Sequence, residues 1–269
     1  MGPEARAIMR RWFPLAHDLQ KASAWKRISA FLFDVIILSV VTVLFAWGLS
    51  ALVGYNGYHR TLMARYDAFS SEYGVDFSIT RAEYDALEDK DRQRVDEAWQ
   101  AVAEDDTAAG AYRMILSLSV VIVSLSILSG YMVTEFFVPL KLKNGMTLGK
   151  KIFGLGVMGT DGVRLRGPAL FIRTVLGKYT VETMIPVLIL VMIYWGVIGV
   201  VGPVMILLIL VGEAAAAVST RRDGFRLIHD LMAGTVVVDF ASQRIFESPE
   251  EKNAFLMREA AERARTQEY

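Results

Sequence analysis

The sequence contains no cysteine and only three histidines, His17, His59 and His229, among its 269 residues. The lack of cysteine excludes disulfide bonds, thiolate catalysis and cysteine-ligated metal sites. Lysine plus arginine and aspartate plus glutamate both number 29, so the formal net charge is zero and gives no bulk attraction to nucleic acid. The apolar run after the basic N-terminus is too long for a cleavable signal peptide and lacks a small-residue cleavage site, so we expect none. We therefore expect no metal ion, no cofactor and no nucleic-acid partner.

Long apolar runs with few charges dominate the chain instead. The first run is Ile28–Val53, in which Asp34 is the only charged residue. A helix of this length is ~39 Å long and can cross a ~30 Å hydrocarbon core with some tilt. A second run, Tyr112–Val138, has charged residues only near its two ends, at Arg113 and Glu135. These runs predict an all-α membrane protein with spans at about 28–53 and 112–138.

A third apolar block, Thr183–Val218, contains Glu213 as its one charged residue and is too long for a single span. As one straight helix it would measure ~54 Å. Its middle has a cluster of glycine and proline, Gly196-Val-Ile-Gly199-Val-Val-Gly202-Pro203, which favours a break. Two interpretations remain open: a hairpin of two spans at about 183–197 and 201–218, or a re-entrant arm followed by one span.

The charges between these runs indicate orientation. Residues 1–27 carry six Lys/Arg against two Asp/Glu, and residues 141–181 carry eight against one, whereas residues 54–110 carry six against thirteen. Because cytoplasmic loops are enriched in Lys/Arg, both termini and the basic loop 141–181 are predicted to be cytoplasmic and 54–110 to be outside. Two cytoplasmic ends require an even number of membrane crossings, which favours four spans. We expect the membrane to be a bacterial inner membrane. The predicted parts are an N-terminal segment 1–27, a membrane domain 28–239 and a C-terminal tail 240–269.

The outer segment 54–110 is polar and has a helical pattern. Thr80 followed by Glu83 forms a capping box, and Val95, Trp99 and Val102 recur at helical spacing. We predict a helical extramembrane insertion between spans 1 and 2. It is either a solvated helical hairpin or a surface that binds a partner.

Two of the polar residues lie in the first run. Arg27 and Asp34 are nearly two helical turns apart, which places both on one helix face at a separation of ~10 Å along the axis. A bare charge at the depth of Asp34 is costly, so we expect Asp34 to be neutral, paired or facing a water-filled cavity. Asp34 is therefore either a hydrogen-bonded packing residue or part of an ion site.

A lysine-rich turn, Asn144-Gly-Met-Thr-Leu-Gly149-Lys150-Lys151, lies in the basic loop. It differs from a phosphate-binding loop in its glycine spacing, and Lys151 replaces the required Ser/Thr. We predict a turn whose lysines contact anionic lipid and which leads into a short strand and the Asp161-Gly162 turn.

The last polar motif is Leu227-Ile-His229-Asp230-Leu-Met-Ala-Gly-Thr-Val-Val-Val238. A metal hydrolase would need several more His/Asp ligands than the chain offers. We instead predict a helix-to-strand transition in which Asp230 serves as a helix cap or an ion-pair partner. Together with the short strand predicted after the lysine-rich turn, this transition predicts a small cytoplasmic β-like element.

These three motifs, in this order, resemble the RDD family of polytopic membrane proteins, which is named for one arginine and two aspartates. Arg27, Asp34 and Asp230 match these positions, the segment TLGKKIFGLGV matches the family's cytoplasmic segment, and Arg173 fits a following arginine. The resemblance covers roughly Ala24–Asp239, and segment 54–110 is longer than the family pattern requires. It implies a polytopic architecture; some members are linked to sodium/proton exchange and others act as partners of other membrane proteins.

Two functional hypotheses follow. In the first, the chain is a non-catalytic binding, regulatory or assembly partner of a membrane protein that it contacts through 54–110, with Arg27, Asp34 and Asp230 as an internal polar cluster; a homo-oligomer is a further possible partner state. In the second, it is a small ion-coupled transporter, such as a Na⁺/H⁺ antiporter, that uses Asp34. No nucleophile–base arrangement indicates an enzyme. The secondary candidate residues are Lys150, Lys151, Arg173, Glu135, Glu213 and His229, with Glu182 as a further acid for an ion site.

Overall fold

The computed structural model describes residues 19–142, 145–194, 196–221 and 224–267. Within these ranges, four helices are long and apolar enough to cross a membrane. We call them span 1 (Ala24–Leu52), span 2 (Asp106–Lys141), span 3 (Gly167–Tyr194) and span 4 (Val201–Ser219). A two-stranded sheet accompanies them. The predicted class, an all-α membrane protein with about four spans and a small β element, is confirmed.

The elements follow one another in a simple order. Span 1 is α1, and span 2 consists of α5 (Asp106–Tyr131), a π-helical stretch (Met132–Phe137) and α6 (Val138–Lys141). Span 3 consists of α8 (Gly167–Phe171), a second π-helical stretch (Ile172–Met184) and α9 (Ile185–Tyr194), and span 4 is α10. The remaining elements are α2 (Tyr55–Tyr73), α3 (Arg81–Asp85), α4 (Asp89–Glu104), α7 (Leu148–Ile152), β1 (Leu155–Gly159), α11 (Ile228–Ala233), β2 (Thr235–Asp239) and α12 (Pro249–Gln267).

The chain divides into two compact units. The core unit comprises the residues up to Thr42 and those from Ile127 onward, and the insertion unit is Val43–Ser126. Spans 1 and 2 each contribute to both units. All the polar motifs of the sequence analysis lie in the core unit.

Span 3 begins at Gly167 instead of near residue 183, where its apolar run starts. Its first half carries Arg173, Lys178 and Glu182, which lower the hydropathy of that segment. These side chains are paired inside the core unit and do not interrupt the helix. Part of the predicted loop 141–181 therefore belongs to the helix of span 3.

The glycine and proline cluster separates spans 3 and 4. Gly196 and Gly199 have φ angles of +70° and +43°, in the left-handed region that glycine occupies without steric cost. Pro203 lies in the first turn of span 4, where a proline is tolerated. Two separate helices therefore flank the break, which supports the hairpin interpretation.

The sheet joins segments that are far apart in sequence. β1 and β2 are antiparallel, with Val157 opposite Val237 and Leu155 opposite Asp239. Leu155, Val157 and Val237 pack with Ala30 of span 1, whereas Met158, Val236 and Val238 form the opposite face. Because both faces are covered, the strands read as continuous apolar runs. The predicted strand after the lysine-rich turn and the helix-to-strand transition near Asp230 are thus both present.

The insertion unit has a helical core of its own. Leu62, Val102, Ala108 and Ala111 are buried together, and Val95 is also buried. The capping box is formed: Glu83 N donates to Thr80 Oγ1 (3.3 Å), and Thr80 N donates to Glu83 Oε2 (2.6 Å). The prediction of a helical insertion is confirmed.

Candidate functional site: a buried polar network

Asp34 fixes the start of α7 against span 1. Its Oδ2 accepts a hydrogen bond from Thr147 Oγ1 (2.5 Å), and its Oδ1 accepts one from Gly149 N (2.7 Å). Thr147 is also the N-cap of α7 and accepts from Lys150 N. The first turn of a helix has N–H groups without intrahelical partners, and Asp34 and Thr147 together satisfy two of them.

This contact requires a residue without a side chain at position 149. A Cβ atom on Gly149 would lie 2.3 Å from Ala30 O and 2.8 Å from Asp34 Oδ1. Backbone atoms cannot move out of the way as the end of a flexible side chain can. The glycine therefore permits α7 to approach span 1 closely enough for the Asp34 hydrogen bond.

Lys150 lies beside Asp34 in a buried position. Its Nζ is 3.7 Å from Asp34 Oδ2 and donates to Thr147 Oγ1 (3.1 Å). Burial lowers the pKa of Lys150 from its ordinary value of 10.5 to about 8, even though the nearby Glu135 and Asp34 favour the charged form. Lys150 therefore partly balances the charge of Asp34 at a cost in desolvation.

Arg27 binds a different segment. Its guanidinium donates to the carbonyl oxygens of Gly224 and Phe225, at 2.8 Å from Nη2 to Phe225 O. Phe225 has a φ angle of +53°, which is uncommon for a residue other than glycine. Arg27 thus stabilises a strained turn between span 4 and α11.

Arg173 and Asp230 form the most deeply buried ion pair of the core unit that we describe. Arg173 Nη1 donates to Asp230 Oδ1 and to Thr235 Oγ1 (2.8 Å), and Thr235 Oγ1 donates to the same carboxylate oxygen (2.6 Å). Arg226 donates to the backbone oxygens of Asp230 and Thr235. Burial acts to raise the pKa of Asp230, but Arg173, His229 and Thr235 hold it well below its ordinary value.

A second ion pair joins spans 2 and 3. Lys178 Nζ donates to Glu135 Oε2 at 2.6 Å, and Thr174 Oγ1 donates to Glu135 O at 3.0 Å. Both partners of this pair lie in π-helical stretches, which are rare and are enriched at functional sites. In a helix with i→i+5 hydrogen bonds, residues five apart lie on one face, so Arg173 and Lys178 both point into the network.

His229 extends the network to spans 3 and 4. Its Nδ1 is 2.7 Å from Glu182 Oε1, and its Nε2 is 3.1 Å from Arg173 Nη2. Ile228 N donates to Glu213 Oε2 at 3.1 Å. Polar contacts in the core unit therefore involve all four spans, α7 and α11.

The structure places the predicted site residues in separate contacts. No hydrogen bond or ion pair connects Arg27, Asp34 and Asp230 with one another in the described parts of the chain; each binds its own segment. The secondary candidates Lys150, Arg173, Glu135, Glu213 and His229 all belong to the network, whereas Lys151 is exposed. Asn144, at the start of the lysine-rich motif, lies outside the described residues.

Sequence analysis missed several members of the network. These are Lys178, Thr147, Thr235 and Arg226. A charged or hydroxyl residue at i→i+5 spacing, or beside a helix-capping position, could have indicated these residues. Such patterns are also common in helices that have no binding or catalytic role. Within the described residues, no group of three or more His, Asp or Glu side chains is arranged to hold a metal ion.

A comparison with models of known protein families shows which family the chain belongs to. The model of the RDD family matches residues 21–234, which include Arg27, Asp34 and Asp230. This chain belongs to the RDD family. The resemblance inferred from the motifs is thereby confirmed, and RDD proteins are membrane proteins. The comparison with curated proteins gives no match. The comparison with solved structures gives none either.

Proposed function

We propose that this RDD protein is a non-catalytic partner in the assembly or regulation of another membrane protein. In this proposal both termini are cytoplasmic in a bacterial inner membrane, and the insertion unit is outside. The observation that carries the proposal is that Arg27, Asp34 and Asp230 each bind the chain itself. They act as internal ties and need no substrate.

The hydrogen bonds that Asp34 accepts from the chain itself are the strongest support for this proposal. One carboxylate oxygen accepts from Gly149 N and the other from Thr147 Oγ1, with Lys150 Nζ nearby. An ion that used this carboxylate would have to displace a backbone donor at a helix start. A buried donor left without a partner costs ~1–3 kcal/mol. This arrangement favours a structural role for Asp34.

The insertion unit offers a surface for the partner. Trp99 packs edge-on against Phe77 (4.8 Å between ring centroids) and Tyr66 (5.9 Å), yet 43% of it is exposed. The segment that contains this aromatic group, residues 54–110, has more than twice as many acidic as basic residues. An exposed tryptophan on an acidic segment complements a partner segment rich in Lys/Arg, which can also stack on the aromatic face. We propose a cationic extramembrane segment as the partner's contact.

A crosslinking experiment tests this proposal. A photoreactive amino acid at Gln100, which is exposed next to Trp99, should give one adduct of defined mass in native membranes. The adduct should contain a Lys/Arg-rich extramembrane segment and should decrease with Trp99→Ala. A photoreactive residue at Ser242, exposed in the core unit, is the matched control. If Gln100 gives no defined adduct while the same residue reacts at other sites, the proposal fails.

A second candidate function is ion-coupled transport, as in a Na⁺/H⁺ antiporter. The observation in its favour is the set of buried titratable groups on α7 and spans 1, 2 and 3, which runs from Asp34 and Lys150 through Glu135 and Lys178 to Glu182. Intramembrane ionisable residues often mark ion pathways. Purified protein in liposomes would then dissipate an imposed pH or Na⁺ gradient, and Asp34→Asn would abolish this. A gradient that persists in the presence of folded wild-type protein excludes this candidate.

A further inference from the structure

A cavity of about 280 Å³ lies between the end of span 2 and the start of span 3. Its apolar wall includes Pro139 and Leu140 from the last turn of span 2 and Leu170 from the first turn of span 3. Sites for small molecules usually measure ~300–1,000 Å³, so the size of this cavity suits a small polar group and not a whole lipid molecule. The side chains on its polar side indicate which group that is.

Two arginines, Arg164 and Arg166, line the polar side of the cavity. Arg164 lies in an extended segment that bridges to Met158 of β1, and Arg166 is also extended, with φ −89° and ψ 156°. Residues two apart in an extended chain point to the same side, so the backbone brings both guanidinium groups to one rim. Guanidinium groups bind the oxygens of a phosphate through paired, charge-assisted hydrogen bonds. The pair therefore favours a phosphate group as the ligand.

One acidic residue of the C-terminal segment also lines the cavity. Glu247 Oε2 accepts a hydrogen bond from Arg164 Nη1 at 2.8 Å, and 66% of the Glu247 side chain is exposed. Within the described residues Arg166 forms no hydrogen bond or ion pair through its side chain, although Glu250 interacts with it electrostatically. An exposed ion pair contributes little to stability. A phosphate group, which has acceptor oxygens for two guanidinium groups, can therefore replace the Glu247 carboxylate at Arg164.

The position of the cavity along the spans favours a lipid as the source of the phosphate. Span 2 ends at Lys141 and span 3 begins at Gly167, so the cavity lies at the ends of two helices that can cross a membrane. Lipid headgroups occupy this depth, just outside the ~30 Å hydrocarbon core. Leu140 on the apolar wall is 43% exposed and can contact acyl chains. Basic pockets between spans at this depth are suited to anionic headgroups.

We propose that this cavity binds the phosphate group of an anionic phospholipid, which Arg164 and Arg166 hold in place of the Glu247 carboxylate. The acyl chains of the lipid stay in the bilayer beside Leu140. Anionic lipid is expected at the lysine-rich turn, and the cavity provides a separate, defined site on two arginines later in the same basic loop. This inference does not depend on the proposed assembly function or on which side of the membrane is cytoplasmic.

Native mass spectrometry of the full chain in a non-ionic detergent tests the site. Phosphatidylglycerol should bind to the wild type about tenfold more tightly than phosphatidylcholine with the same acyl chains, because only phosphatidylglycerol has a net negative charge. Arg164→Gln and Arg166→Gln should each weaken binding of the first phosphatidylglycerol about tenfold. Lys151→Gln, exposed in the same basic loop and outside the cavity, is the matched control and should bind like the wild type. Equal binding of the two lipids, or arginine variants that bind no more weakly than Lys151→Gln, overturns the proposal.

Inorganic phosphate distinguishes a lipid headgroup from a soluble phosphate. It should not displace phosphatidylglycerol from the wild type at equal concentration, because it lacks acyl chains, and displacement would overturn the lipid as the source.

Glu247→Gln tests whether the phosphate takes the place of the carboxylate. This variant should bind phosphatidylglycerol about threefold more tightly than the wild type, because no carboxylate competes for Arg164. Unchanged or weaker binding would contradict the replacement of Glu247. The comparison of the two lipids in the wild type needs no variant, so a variant that fails to fold does not prevent the test.

Discussion

Arg173 in span 3 and Asp230 in α11 form an ion pair in which 4% and 1% of the respective side chains are exposed. The second aspartate of the family motif is thus neutralised by an arginine other than Arg27. Thr235 of β2 donates to the same carboxylate, so one pair connects a span, a short helix and the sheet. This connection has direct consequences for stability.

Removing one member of this pair should strongly destabilise the protein. Asp230→Asn or Arg173→Met leaves a buried charge without its counter-charge, which typically costs ~3–5 kcal/mol. Unfolding of the purified protein in nanodiscs, followed by tryptophan fluorescence, measures the loss. Arg81→Ala is the control: Arg81 pairs with Asp85 on the exposed surface, where a pair contributes ~0–1 kcal/mol. Equal losses for the buried and exposed variants would contradict the role of burial.

Gly149→Ala should also destabilise the core unit. The added Cβ would overlap Ala30 O and the Asp34 carboxylate, and overpacking of this kind costs ~1–3 kcal/mol. Gly167→Ala provides a matched comparison, because a Cβ there meets no atom within 4 Å. Thermal unfolding of both variants separates the steric effect from the general effect of losing a glycine. Two variants with the same stability would show that α7 moves away at little cost.

The pH dependence of stability should reveal the buried Lys150. Its pKa falls from 10.5 to about 8 on folding, so between these pH values the unfolded chain binds the proton more tightly than the folded chain. The contribution of Lys150 to the stability of the folded state therefore rises as the pH increases from about 8 to 10.5. The free energy of unfolding of the wild type relative to Lys150→Gln should grow by up to ~3 kcal/mol. Chemical denaturation at several pH values measures this difference, and a constant difference would refute it.

Single cysteines test the proposed orientation, because the chain has none of its own. Ser71→Cys lies in α2, and Ala241→Cys follows β2; both positions are exposed. We expect an impermeant thiol reagent added to intact cells to label position 71 and not position 241. Permeabilised cells, in which both should react, are the control. Labelling of position 241 in intact cells would reverse the orientation.

Local sequence signals were sufficient for some parts of this structure and not for others. The depth of Asp34 in an apolar run indicated that it needed a partner, and the Gly196–Pro203 cluster indicated the break between spans 3 and 4. The start of span 3 was not predictable, because Arg173, Lys178 and Glu182 are compensated by residues distant in sequence. Their alignment depends on π-helical geometry, which has no clear sequence pattern. Asp230 could therefore be predicted to form an ion pair, but the spacing of residues in the sequence did not indicate that Arg173 would be its partner.

The two-stranded sheet also sets an order of assembly during synthesis. β2 ends at Asp239, after the last span, while β1 lies between spans 2 and 3, and Lys21 before span 1 bridges to Val238. A ribosome that has released all four spans but not yet residue 239 therefore holds a chain whose β1 lacks its partner. Because chains fold from the N-terminus during synthesis, closure of this end of the protein comes last. We therefore expect an interval after insertion of the spans in which β1 has not yet paired with β2.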